Sequence, residues 1–186
     1  MKEIVFFLEE ASAKAMLEVL LPRIFGAASL LHPRFVVFEG KQDMHRQLER
    51  KLRGYLNPGA RLIVLRDQDK DDCRKVKRSL KALCTKAGRP NAIVRIACRE
   101  LESFYLGDLR AVELGLEVAG VSSKQRKAKY RQPDMLQNPY HELSSLTNHK
   151  YQKIAGSRSI AHHLDLNDSQ SDSFRHLLIS IKKCAR

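Results

Sequence analysis

Leu62-Ile-Val-Leu-Arg-Asp-Gln-Asp-Lys-Asp-Asp72 is the stretch whose reading decides the fold. Its four opening apolar residues make a run too short for an ordinary helix and suited to a buried strand. The run stops at a charged segment, and a strongly basic helix is expected from there to about Gly88. Upstream, Ile4-Val-Phe-Phe-Leu8 and Phe35-Val-Val-Phe38 have the same character, and downstream so does Ala92-Ile-Val-Arg-Ile-Ala-Cys98.

Helical patterns separate these runs. Ser12 is a candidate N-cap, Met16, Leu17, Leu20, Leu21 and Ile24 recur at helical spacing, and Gly26 offers a stop. Pro22 inside that pattern is expected to kink or shorten the helix. A polar helix should follow Glu39-Gly-Lys41 and run to about Tyr55, with Asn57-Pro-Gly59 closing it. Strand then helix, repeated, predicts an α/β fold with a largely parallel four-stranded sheet flanked by helices, because parallel strands need crossover connections. Residues 1–122 are expected to form the catalytic core. Residues 123–186 read as a basic helical and loop extension packed on the same domain, ending in an amphipathic helix over Phe174 to Ile181.

The chain has 186 residues, 43% of them hydrophobic, enough for one compact core. The longest membrane candidate, Ala15 to Leu31, is broken by Glu18, Pro22 and Arg23, short of the roughly 20 apolar residues a bilayer needs. Ile4 to Leu8 is too short for a signal-peptide core and runs into Glu9 and Glu10, so a cytoplasmic protein is expected. Cys73, Cys84, Cys98 and Cys184 lie far apart and read as reduced thiols. A net charge of +13 attracts polyanions, nucleic acid among them. Residues 1–122 carry 22 basic and 16 acidic side chains, whereas the shorter 123–186 carries 12 and 5. Lys124, Arg126, Lys127, Lys129 and Arg131, with Tyr130 among them, could grip phosphates while the ring stacks on a base; the alternative is a solvated, mobile basic loop. Arg74, Lys75, Lys77, Arg78 and Lys81 could guide a nucleic-acid backbone toward the Asp cluster, or simply face solvent.

In a parallel sheet, ligands gather at the carboxyl ends of the strands. Glu9 and Glu10 follow the first run, Glu39 the second, Asp67 and Asp69 the third, and Glu100 and Glu102 the fourth. Carboxylates crowded at one edge repel one another unless a cation neutralises them, and hard oxygen donors suit Mg²⁺ or Mn²⁺. Asp67 and Asp69, on alternate positions, can aim at one site if the chain stays extended. Asp71 and Asp72 are assigned mainly to turn and capping roles. Glu9 abuts its strand and is the better ligand, while Glu10 faces solvent or the following helix's positive end. Glu102 or Glu100 could complete a second metal site or act as base, Glu102 being preferred, or either could pair with Arg99 or Arg95. Lys41 could place a cation beside transition-state charge, or be a surface lysine. An EF-hand is excluded, because its sixth and twelfth places hold Asp72 and Arg78. An aspartyl-phosphate phosphatase would use Asp67-Gln-Asp69 but leaves the other acidic strand ends unexplained. His162 and His163 have no metal-ligand spacing and read as structural or surface residues.

Val5-Phe-Phe-Leu-Glu9 and Asp67-Gln-Asp69 resemble the two signatures of the Toprim superfamily of topoisomerases, primases and overcoming-lysogenization-defect nucleases. Phe38-Glu-Gly-Lys-Gln-Asp43, Val64-Leu-Arg-Asp-Gln-Asp-Lys-Asp-Asp-Cys73 and Glu100-Leu-Glu-Ser-Phe-Tyr-Leu-Gly-Asp108 are similar, more narrowly, to a functionally uncharacterised bacterial family of small Toprim-like proteins. Lys129-Tyr-Arg-Gln-Pro-Asp134 and Ser171-Asp-Ser-Phe174 carry the same resemblance, which spans nearly the whole chain. The usual Toprim signature has Gly after its Glu, where this chain has Glu10.

The resemblance implies a Toprim-like fold, Mg²⁺ or Mn²⁺ held by Glu9, Asp67 and Asp69, to which Glu102 is added here as the preferred further ligand, and phosphodiester hydrolysis of DNA or RNA. Members often sit beside an ABC-type ATPase in what look like phage-defence operons, which implies an ATPase partner. A topoisomerase or primase would need parts this chain does not offer. The competing expectation is a non-catalytic nucleic-acid-binding or regulatory subunit. Association into a homo-oligomer is left open.

Overall fold

The computed structural model describes residues 3–26 and 32–185. The last part of the Ala15–Leu31 stretch, residues 27–31, lies outside them. Four parallel strands, β1 (Glu3–Leu8), β2 (His32–Val37), β3 (Arg61–Asp67) and β4 (Ile93–Ala97), stand in the order β2-β1-β3-β4. Helix α1 (Ala11–Phe25) links β1 to β2, α2 (Lys41–Arg53) links β2 to β3, and α3 (Cys73–Lys86) links β3 to β4.

The central strands β1 and β3 are buried on both sides, as their unbroken apolar runs demand, whereas the edge strand β2 is only half-buried or exposed. Ile4, Phe6, Leu8, Ile63 and Leu65 pack with α1, whereas Val5, Phe7, Leu62, Val64, Val94 and Ile96 pack with α2 and α3. The first crossover moves the chain one way along the sheet and the next two move it the other way. A fixed crossover hand then puts α1 on one face and α2 and α3 on the opposite face. The reversal falls between β1 and β3, which makes their carboxyl ends the switch point where an open α/β sheet forms its crevice.

After β4 the chain stays on the α1 face as α4 (Glu102–Leu106), α5 (Leu109–Leu116), α6 (Ala128–Arg131), α7 (Pro139–Leu146), α8 (Lys153–Ala161) and α9 (Asp172–Ala185). Phe104, Val112, Leu143, Ile160, Phe174 and Leu177 join the core begun by β1 and α1. Arg23 of α1 donates to the carbonyls of Ala161 and Leu164 at 2.6 and 2.8 Å, closing the end of α8. Arg95, the one charged residue of β4, reaches α9 at Ser180 Oγ and the His176 carbonyl. No described helix is long and apolar enough to cross a membrane.

Three local expectations are corrected. Helix α1 starts before Ser12, with Glu10 as N-cap, and the Ser12 hydroxyl donates back to Glu10. Pro22 does not cut α1 short: it sits in the last turn, and its carbonyl accepts from the N–H of Gly26, whose φ of 80° ends the helix. Tyr130 is 2% exposed and donates its hydroxyl to Glu142, so its ring is committed to the core and cannot stack on a base.

Candidate metal centre

Glu9 follows β1 and Asp67 ends β3, and the two strands are neighbours in register. The Glu9 N–H donates to the Leu65 carbonyl at 3.2 Å, continuing the ladder past the strand. Its carboxylate Oε2 accepts the Asp67 N–H at 3.0 Å. Asp67 Oδ2 accepts the N–H of Leu101 at 3.2 Å, drawing in the turn after β4. Among the described residues the second oxygen of each carboxylate accepts no hydrogen bond. Between them lies a niche of about 10 Å³ bordered by Glu9, Glu10, Ser12, Asp67 and Leu101, room for one water-sized particle.

Glu102, the first residue of α4, is 1% exposed, and its Oε1 accepts the Tyr151 hydroxyl at 2.9 Å. Tyr151 is also within 3.2 Å of Ser157 Oγ. Gly156 permits that placement, since a Cβ there would lie 2.5 Å from the Tyr151 ring. Burial pushes the Glu9 carboxyl from an ordinary 4.5 up to about 7, helped by Asp69 and Glu10 and opposed by the Asp67 N–H and Arg66. Asp67 is raised well above the carboxylate range by burial, then by the charges of Glu102, Glu9 and Glu10. Glu102 is raised too, chiefly by burial. Glu9 and Asp67 border the niche and Glu102 acts on Asp67 through its charge; carboxyls that resist ionisation would each be relieved by a cation.

Asp69 belongs to a different environment. The strand ends at Asp67, and Asp69 has φ 56°, so the extended chain needed to aim both Asp residues the same way is not what forms. Asp residues tolerate this left-handed geometry, and the position is fixed by the Asp69 N–H donating to the Arg99 carbonyl at 2.7 Å. Arg99 itself has φ 62°, so two left-handed residues zip the loops after β3 and β4 together. Strained backbone of this kind persists where the surroundings over-determine it. The Asp69 carboxylate pairs with Lys41 Nζ at 2.9 Å and lies 4.0 Å from Arg66 Nη2. Lys41 is therefore held at the acidic edge, and Gly40 beside it, with φ 86°, donates its N–H to the Glu9 carbonyl.

Asp72 caps α3 through the Lys75 N–H at 2.8 Å, as expected. Asp71 does not cap, and pairs with Arg66 Nη2 at 3.3 Å. Glu100 accepts the N–H of Tyr140 at 2.7 Å in the first turn of α7. Neither Glu100 nor Glu102 pairs with Arg95 or Arg99: Arg95 is taken by α9, and Arg99 Nη1 lies 3.5 Å from the Asp69 carbonyl. Glu10 pairs with Lys153 Nζ at 3.0 Å, and Glu39 is exposed at the rim.

Two residues of the site had escaped notice in the sequence. Arg66 is 8% exposed, with its Nε 3.6 Å from Glu9. It lies beside Asp67 in the charged stretch, a signal that went unused. Tyr151 carried no signal, because its approach to Glu102 is made by helix packing. Of the basic residues, Arg74, Lys75 and Arg78 are exposed on α3, while Lys77 borders a depression with Asp134 and Asp172. Lys124 and Arg126 lie in a short 3₁₀ turn, Lys127 joins it to α6, and Lys129 and Arg131 lie in α6, with Lys129 paired to Glu142. His162 and His163 are exposed.

The donor set suits a hard divalent cation: Glu9 and Asp67 border a water-sized niche, the charge of Glu102 acts on Asp67 and that of Asp69 on Glu9. Among the described residues no three Asp, Glu, His or Cys side chains already converge on one point. Holding an ion there would draw these carboxylates together.

The family described as a domain of unknown function, DUF4276, matches residues 8–182, a span that takes in Glu9, Asp67, Asp69, Glu102 and Tyr151. In structure the chain is similar to the C-terminal region of the Burkholderia pseudomallei OLD protein, with a TM-score of 0.54, 19% identity and 98% of each chain covered. No curated protein matches it. The structural likeness bears on the fold, the α/β arrangement with four parallel strands anticipated from the sequence. Matched over nearly its whole length, the chain belongs to the DUF4276 family.

Proposed function

We propose that this protein is a metal-dependent nuclease that hydrolyses phosphodiester bonds of DNA or RNA. The observation that carries this reading is the Glu9–Asp67 pair at the switch point of the sheet, joined by one hydrogen bond, bordering a niche and backed by buried Glu102. Glu9, Asp67, Asp69 and Glu102 would hold Mg²⁺ or Mn²⁺. Such an ion supplies polarisation of the phosphate and a bound water of lowered pKa. Tyr151 fixes the orientation of Glu102. Lys41 and Arg66 keep positive charge at the edge where a phosphate's charge would develop. In this reading residues 1–122 bear the carboxylates, and residues 123–186 enclose them through Tyr151 and Lys153.

The proposed setting is a bacterial phage-defence system with an ABC-type ATPase partner, which rests on the family resemblance of the acidic motifs. The 19%-identical OLD region lends the fold as support. A second reading, a nucleic-acid-binding subunit that does not cleave, draws on one observation: Asp69 already has Lys41 and Arg66 as counter-ions.

Plasmid DNA and tRNA incubated with the protein and Mg²⁺ or Mn²⁺, with and without the ATPase, separate the two. Cleavage that disappears with EDTA and in Asp67→Asn/Asp69→Asn supports the nuclease. Intact substrate under every condition, with binding retained, sinks it in favour of the non-cleaving subunit.

A further inference from the structure

On the α2 side of the acidic edge lies an open depression of about 420 Å³ lined by Lys41, Gln42, His45, Arg46 and Arg66. Each of these side chains can donate a hydrogen bond and none is a carboxylate. Lys41 with His45, and Gln42 with Arg46, are four residues apart, so they stack on one face of α2. Met44, Leu48 and Leu52 carry the packing of α2, and Gln42, His45 and Arg46 are exposed beside that buried stripe.

Arg66, from β3, forms the inner wall. It is 8% exposed, and its Nε is buried with no hydrogen-bond partner. That Nε lies 3.6 Å from the Glu9 carboxylate and Nη2 3.3 Å from Asp71, so Arg66 gives the wall a fixed positive charge held in place by carboxylates. The 13-residue helix α2 adds to that charge, since its N-cap Gly40 has no side chain to cap the first turn. The N–H groups of Lys41 and Gln42 have no acceptor among the described residues. Asp43, the acidic residue of that turn, is turned to the Glu39 N–H and to Gln47, and lies 3.7 Å from Arg46 Nη2. Positive helix end, unfilled donors and cationic lining all call for an oxyanion.

We infer that this depression is a seat for a phosphate of the nucleic-acid backbone, beside the carboxylates and separate from the basic residues of α3 and α6. Lys41 and Arg66 both also reach toward Asp69, so a strand seated here runs past the acidic edge. What the seated strand then undergoes rests on the nuclease reading; the seat itself does not.

The test is binding of a short labelled single-stranded oligonucleotide, as DNA and as RNA, in EDTA across a salt series. His45→Ala/Arg46→Ala changes two exposed residues that support no packing. It should weaken binding about tenfold and lower the salt slope by about 1. Arg46→Glu should weaken it further, and Arg74→Ala/Arg78→Ala on α3 should cost less than either. Wild-type affinity and slope in both α2 variants overturns the seat. Inorganic phosphate or a nucleoside monophosphate binding as tightly as the oligonucleotide overturns its assignment to a strand. A wild type that binds through this seat but cleaves nothing with metal sinks the nuclease alone. A wild type that cleaves while both α2 variants bind and cleave unchanged sinks the seat alone.

Discussion

Asp67 and Asp69 are two residues apart, yet they live in opposite surroundings. Asp67 is enclosed with Glu9 and Glu102 under the helices that follow β4, and burial and repulsion drive its carboxyl toward the protonated form. Asp69 stands toward the α2 side, partly open to solvent, balanced by Lys41 and Arg66. The enclosed half has Arg66 Nε 3.6 Å from Glu9 and its carboxyls still resist ionisation, whereas Asp69 on the open half is in direct contact with Lys41. An ion entering the site would therefore act chiefly on the enclosed half, and exposed cations on the open half.

The largest effect should come from Asp67→Asn/Asp69→Asn. Cleavage should fall about 1000-fold or more, the scale of losing a principal electrostatic contributor. Melting curves with and without Mg²⁺ should show the metal-induced rise disappear, since a ligand stabilises only by its preference for the folded state. Without metal the variant should be as stable as wild type or more so, because enclosed repulsion is removed. A retained metal response would show that the ion does not sit between these halves.

The enclosed half also sets a pH dependence. Glu9 titrates near 7 when folded and near its ordinary 4.5 when unfolded, so between those values the folded state holds a proton that the unfolded state has lost. Its contribution is present in full below about pH 4.5 and is lost as pH rises through about 7. The loss is on the order of 3 kcal/mol, and Asp67 acts in the same direction. Urea unfolding in EDTA should show stability falling across this window, and Glu9→Gln should flatten the fall. A rise across the window in wild type would mean that the pair is not buried as described.

Tyr151→Phe removes one hydroxyl from Glu102 and should weaken metal binding 10- to 100-fold, as loss of a supporting hydrogen bond does. The readout is the metal concentration that half-restores the melting shift. A drop in stability with unchanged metal affinity would make Tyr151 a packing residue only. The smallest effect belongs to the open half: Lys41→Met breaks a partly solvated pair and should change stability by roughly 0.5 kcal/mol or less. A loss above about 2 kcal/mol would place Lys41 among the structural residues of the edge and erase the difference between its two halves.

Much of the fold was legible because the four apolar runs are short, uninterrupted and separated by helical periodicity. Glu9 and Asp67 were legible because each directly follows or ends a run, and a parallel sheet brings such positions to one edge. The extension of aim from Asp67 to Asp69 failed because alternation holds only while the strand lasts, and Asp69 turns left-handed just beyond it. The base-stacking role for Tyr130 failed because a basic stretch says nothing of which face of it is packed; here Glu142 and the core claim the ring.

By itself, the sequence determined the strand–helix alternation, the sheet it builds and the acidic residues at its carboxyl ends, because these follow from local patterning and chain connectivity. Only the tertiary structure decided which carboxylates are enclosed and which are compensated. Strand order put β1 beside β3, and Tyr151 reached Glu102 across 49 residues. Desolvation and charge pairing depend on what packs around a group, and a single line of residues does not state that.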